Sequence, residues 1–146
     1  MSTILLLNGP NLNLLGSREP HLYGSHTLES VVTELDQIAK QHGVEFNSFQ
    51  SNAEHELLEQ IHQAAAEQVS VVIFNPAAFT HTSVALRDAF QATGLAFIEV
   101  HISNIYQREE FRQKSFFSDI AHGVIAGFGV SGYTLAMQAA LNHIRN

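Results

Sequence analysis

Ile4-Leu5-Leu6-Leu7 runs directly into Asn8-Gly9-Pro10-Asn11-Leu12-Asn13-Leu14-Leu15-Gly16-Ser17-Arg18-Glu19-Pro20-His21-Leu22-Tyr23-Gly24. A short unbroken apolar run stopped by Asn-Gly-Pro suits a strand buried on both faces, the kind found in parallel sheets covered by helices. The segment after it is too long for an ordinary strand-to-helix turn, which takes about 2–6 residues. A plain linker is polar throughout, whereas this one carries Leu12, Leu14, Leu15 and Leu22 as apolar anchors, with Arg18 and Tyr23 among them. Residues 17–26 therefore read as a lid that carries chemistry.

Working outward, Leu28, Val31, Val32, Leu35, Ile38 and Ala39 recur at helical spacing, and Gly43 is placed to end that helix. Val44–Gln50 alternates like a second strand near an edge. Ser51 with Glu54 forms a candidate capping box for a helix whose stripe is Leu57, Leu58, Ile61, Ala64 and Ala65. Val69–Phe74 is a third strand, stopped by Asn75-Pro76. Thr82–Thr93 is helical, with Ala85, Leu86, Ala89 and Phe90 inward and Gly94 closing it. Ala96–Val100 and Val124–Phe128 are the last strands, and Tyr133–Ile144 the last helix. Strict alternation of strand and helix predicts one α/β domain over residues 1–146: a flavodoxin-like, three-layer sandwich with a five-stranded parallel sheet of order 2-1-3-4-5. Ligands of such sheets bind beyond the carboxyl ends of the strands, at the switch point between the first and third.

The 146 residues are enough for a proper core, and their 45% hydrophobic content suits a folded domain. A net charge of −7 argues against nucleic acid or an anionic membrane as general partners, so any anion must be bound locally. With no cysteine, disulfides, thiolate nucleophiles and Cys-based zinc sites are excluded. The Met1–Leu7 start lacks a basic region and a long apolar run, and no stretch approaches a membrane span. The expectation is a soluble cytoplasmic protein.

Reactive polar residues collect after the first, third and fourth strands, which the expected order places side by side. They are Asn8, Asn11, Arg18 and Tyr23; then Asn75 and His81; then Glu99, His101, Ser103 and Arg112. Each also has a plainer reading. Asn8 and Asn11 serve equally in Asx turns, Tyr23 in packing, Arg18 and His81 at the surface, and His101 as a structural ring. Rival motifs fail. His55-Glu56-Leu57-Leu58-Glu59 has glutamate where a zinc protease needs its second histidine, and His55, Glu59 and His62 share a solvated face. Gly129-Val130-Ser131-Gly132-Tyr133 has tyrosine where a nucleophile elbow ends in glycine. Lys40 and Lys114 lie at a helix end and in a polar loop, so neither suits imine chemistry. Acid–base chemistry without metal, thiol or lysine remains. Arg18 is the cation to make the Tyr23 phenol basic, and Glu99 the group to hold His101 as an acid.

Asn8–Pro20 with Tyr23-Gly24, then Asn75–Asp88, Glu99–Arg112 and Gly129–Ala136, resemble the type II 3-dehydroquinate dehydratases over nearly the whole chain. That resemblance implies an enzyme of the shikimate pathway, in chorismate and aromatic amino acid biosynthesis. It is a lyase that eliminates water from 3-dehydroquinate in the anti sense. Tyr23 is then the base at C2, Arg18 its activator, Asn11 the enolate's support through a water, and His101 the acid. Asn75, His81, Ile102, Ser103 and Arg112 hold the substrate, and Asp88 reaches that of a neighbouring subunit. The resemblance further implies a trimer-based dodecamer, no cofactor and no metal. Ala77, Phe79, Ile102 and Tyr106 stand where many relatives have glycine, tyrosine, leucine and histidine. Two other classes are weighed: a flavin- or nucleotide-binding module, disfavoured because Pro10 and Pro20 remove donors from the first loop, and a non-catalytic scaffold.

Overall fold

The computed structural model describes residues 1–17 and 26–146. Its strands are β1 (Thr3–Asn8), β2 (Glu45–Gln50), β3 (Val71–Asn75), β4 (Phe97–His101) and β5 (Gly123–Ala126). Its helices are α1 (Leu28–Gln41), α2 (Glu54–Ala66), α3 (Val84–Thr93) and α4 (Ser131–Arg145). The sheet runs β2-β1-β3-β4-β5 with every pair parallel, the predicted order, and β2 is indeed an edge.

Successive side chains of a strand point to opposite faces, so the apolar runs split into two cores. Ile4, Leu6, Val71, Ile73, Ile98 and Val100 meet Val31, Leu35 and Ala39 of α1 and Ala136, Met137 and Ala140 of α4. Leu5, Leu7, Val72, Phe74 and Phe97 meet Leu57 and Ile61 of α2, Leu86 and Phe90 of α3, and Phe117. The rings of Phe90 and Phe97 stack at 4.1 Å, while Phe117 stands edge-on to Phe74 at 5.1 Å. Each such fully buried side chain contributes about 1.5–3 kcal/mol relative to an exposed one.

Several local expectations are corrected. Ser51 and Glu54 do not form a capping box: α2 begins beyond Ala53, which has no side-chain cap. Ser51 is buried at the end of β2, where it accepts from the Ala53 N–H and donates to Glu56. The capping box belongs to α1, where Thr27 accepts from the Ser30 N–H and the Ser30 hydroxyl accepts from the Thr27 N–H, both at 3.1 Å. β3 starts at Val71 rather than Val69, because the Val69 N–H still closes α2 on Ala64. α3 starts at Val84, since residues Ala77–His81 wind into a 3-10 turn first. Ala85 is exposed, a quarter-turn from the centre of the Leu86, Ala89, Phe90 stripe.

Two backbone features shape the carboxyl ends. The Gly9 N–H donates to the Asn75 carbonyl at 2.8 Å, and a Cβ on Gly9 would stand 2.4 Å from the Pro76 carbonyl oxygen. Neither backbone can yield without parting β1 from β3. Gly9→Ala is therefore expected to destabilise the protein by about 1–3 kcal/mol. Thermal unfolding followed by circular dichroism should show the melting temperature fall by several degrees, and an unchanged midpoint would refute the close approach. Ala77, the residue noted for replacing glycine, has φ 52°. It is thus held in the left-handed region at a cost of order 1 kcal/mol.

Candidate active site

A cavity of about 190 Å³ opens beyond the carboxyl ends of β1, β3 and β4, where the switch-point rule puts it. It is smaller than the roughly 300–1,000 Å³ typical of drug-sized ligands, which suits a small metabolite better than a flavin or dinucleotide.

Of the expected site residues, Asn11, Asn75, His81, His101, Ile102, Ser103 and Arg112 line it. Glu99 stands behind His101. Asp88 is exposed on α3 and is not among the lining residues. Arg18, Tyr23 and Leu22, with nearly all of the expected lid, lie outside the described residues. Of the other expected anchors, Leu15 is buried and Leu12 packs beside it on the α1 side of the sheet. Leu14, by contrast, is 45% exposed, and all three line the cavity. The 3-10 turn Leu12–Leu14 sends one leucine inward and another outward within three residues.

The strand ends hold their polar groups firmly. Asn75 donates to the Tyr133 hydroxyl at 2.9 Å, and that hydroxyl donates to Asn8 at 2.7 Å. The other end of the Asn75 amide accepts from the Ala77 N–H at 3.1 Å, which fixes the amide's orientation and supports the strained Ala77. Asn8 is therefore a buried partner of α4, not an Asx turn. Tyr133, the residue that spoiled the elbow motif, is fully buried, and burial pushes its phenol well above its ordinary range. It serves as a neutral hydrogen-bonding pin.

His101 is 5% exposed, and its Nε2 meets the wholly buried Glu99 carboxylate. That leaves Nδ1 as the nitrogen without a partner among the described residues. His81 is half-buried, and its Nδ1 donates to the Lys114 carbonyl at 2.8 Å. A carbonyl only accepts, so Nε2 of the neutral His81 ring carries the lone pair. Asn11 has φ 70° and donates its N–H to the Asn52 side chain at 2.9 Å. Its own amide makes no hydrogen bond among the described residues.

Sequence reasoning missed Arg108, which lines the cavity beside Arg112. Glu109 lies between the two guanidinium groups, accepting from Arg112 Nε at 2.9 Å and standing 3.8 Å from Arg108 Nε. The hydrogen bond from Arg112 is the main cause holding the Glu109 carboxyl below its usual range. With Nε engaged, the Nη atoms of Arg112 are left for an anionic ligand. A second arginine four residues before Arg112 was the available signal. His55, Glu59 and His62 are exposed as expected, and no group of three or more potential metal ligands occurs among the described residues.

The cavity thus combines an oriented amide, two differently tethered imidazoles and an arginine pair, a set that can bind a small carboxylate and move protons. Comparison with known proteins agrees with it. The family model described as "Dehydroquinase class II" matches residues 2–141. The chain is 60% identical to the 3-dehydroquinate dehydratase of Methylococcus capsulatus over 141 residues, 97% of this chain and 95% of that one. It is 57% identical to the 3-dehydroquinate dehydratase of Vesicomyosocius okutanii over 142 residues, 97% of this chain and 95% of that one. The crystal structure of the type II dehydroquinase from Butyrivibrio crossotus superposes with a TM-score of 0.92 at 38% identity, over 96% of this chain and 97% of that one. On fold, cavity and sequence together, this chain belongs to the class II dehydroquinase family.

Proposed function

We propose that this protein is a 3-dehydroquinate dehydratase, eliminating water in the anti sense from 3-dehydroquinate, through an enolate, to give 3-dehydroshikimate. The observation that carries this reading is the Glu99-held His101 ring beside an arginine pair, in a cavity sized for one small acid. Tyr23 takes the C2 proton, with Arg18 keeping its phenolate accessible. Asn11, through a water, stabilises the enolate oxygen, a charge present only after proton removal. His101, held by Glu99, gives a proton to the departing C1 hydroxyl. Asn75, His81, Arg112 and Ile102-Ser103 hold the substrate, the last pair near its carboxylate.

The chain acts as one catalytic domain over residues 1–146, its lid at about residues 17–26 bringing Arg18 and Tyr23 to the cavity. It requires no cofactor or metal. It works in the cytoplasm, in the shikimate pathway; no helix among the described residues is long and apolar enough to cross a membrane. It assembles as a dodecamer, a tetramer of trimers, in which the exposed Asp88 reaches a neighbour's substrate; light scattering, by reading a monomer's mass, would exclude this. The deciding experiment adds 3-dehydroquinate to the purified protein and follows absorbance of the conjugated product. Turnover is expected, and none from folded protein would overturn the reading.

A further inference from the structure

Glu99 is 0% exposed, yet its carboxylate has more partners than His101. The Ser115 hydroxyl donates to Oε2 at 2.7 Å, on the oxygen that meets His101, and the Ser118 hydroxyl donates to Oε1 at 2.9 Å. The direction of the first bond is fixed by counting. Ser115 Oγ already accepts the N–H groups of Phe117 at 3.0 Å and Ser118 at 3.3 Å, so both its lone pairs are used. Its proton can go only to Glu99.

The segment bearing the serines is tied down on three sides. The Phe116 N–H donates to the Thr80 carbonyl and Arg87 donates to the Phe116 carbonyl, each at 2.9 Å. Arg87 also clasps Asp119 with both nitrogens at 2.5 and 2.9 Å, and the Phe117 ring is wholly buried between the aromatic rings of β3, α3 and β4. The two hydroxyls are therefore set by the fold and not by the site they face.

We infer that Ser115 and Ser118 are positioning residues that fix the Glu99 carboxylate as an acceptor and, through it, the tautomer and angle of the His101 ring. This rests on the proposed role of His101 as the acid. With three donors around it, the carboxylate takes its proton from no neighbour and holds the His101 proton on Nε2. Nδ1 thereby faces the cavity, and it is there that the ring takes its second proton, as an imidazolium whose charge the carboxylate balances, when it acts as the acid. Without the serines, a buried carboxylate with one donor is free to rotate, or to carry a proton and donate it to Nε2. The ring then stays neutral with its single proton on Nδ1, and a neutral imidazole is a far weaker acid toward the departing hydroxyl than the imidazolium that the carboxylate supports.

Ser118 is the cleaner probe, since its hydroxyl bonds only Glu99 among the described residues. Ser118→Ala is expected to lower kcat for 3-dehydroquinate by about 10–100-fold, with KM changed less than about threefold. Ser118→Thr, which keeps the hydroxyl, should restore most of the rate. In a Glu99→Gln background the same alanine change should cost less than about twofold, because groups acting through one another are not additive. Nitrogen-15 spectra of labelled histidine, taken where the ring is neutral, should place the His101 proton on Nε2 in the wild type and divide it between the nitrogens in Ser118→Ala. Ser118→Cys, which keeps the volume with only a weak donor, gives the same reading should the alanine variant not fold. Equal losses with and without the Glu99 carboxylate, or an unaltered proton position, would overturn the inference. The spectra decide it even if 3-dehydroquinate is not turned over.

Discussion

Tyr23→Phe is expected to lower kcat by about 10²–10⁴-fold, the usual worth of a positioned general base, with KM for 3-dehydroquinate little changed. The change removes one oxygen and leaves the ring. The reaction needs a base for a proton on carbon beside a ketone, and a free phenol has a pKa of about 10. Arg18 is the cation whose charge would favour the Tyr23 phenolate. The described cavity offers a rival, the lone pair on His81 Nε2. Near-normal turnover in Tyr23→Phe would pass the base role there. Proton magnetic resonance in deuterated water gives an independent reading, because a variant without its base should lose exchange at C2 along with dehydration.

His101→Ala should lose turnover by a similar factor of about 10²–10⁴, but in a different step. Hydroxide is a poor leaving group, and the acid is needed only after the enolate exists. The alanine variant should therefore still exchange the C2 proton with solvent while failing to form the conjugated product. Loss of both would place His101 in the first step instead. Removing a ring that is 5% exposed also leaves the Glu99 carboxylate with only its two serine donors and a space beside it. A stability loss of about 1–3 kcal/mol is expected alongside, measurable as a shift in urea midpoint, so rates must be compared at a temperature where both proteins are folded.

Local periodicity located the strands to within a residue or two because the apolar runs meet the turn residues that stop them, as at Gly9-Pro10 and Pro76. It failed where a side chain's partner was ambiguous. Ser51 looked like a helix cap from spacing alone, yet it sits two residues before the cap position and serves the end of β2. Leu14 looked like an anchor, but a 3-10 turn sends it outward. Beyond its separation from Arg112, nothing in the spacing around Arg108 marks it for the site; the 3-10 turns after β4 bring it beside Arg112.

The sequence by itself determined the alternation of buried strands and amphipathic helices, hence the strand order. It also determined which strand ends carry amides, imidazoles and cations, because these depend on residue type and near-neighbour spacing. Only the tertiary structure decided how those groups are held. Asn8 meets Tyr133 across 125 residues, and Glu99 meets Ser115 and Ser118 from beyond a neighbouring loop. A hydrogen bond of that separation follows from the register in which the crossovers close and from burial that leaves each polar atom few partners to choose among. The opening stretch after Ile4–Leu7 reads the same way: its residue types were legible along the chain, but that Leu15 is buried and Leu14 exposed, and that Asn8 is buried and Asn11 lines the cavity, was set by the fold.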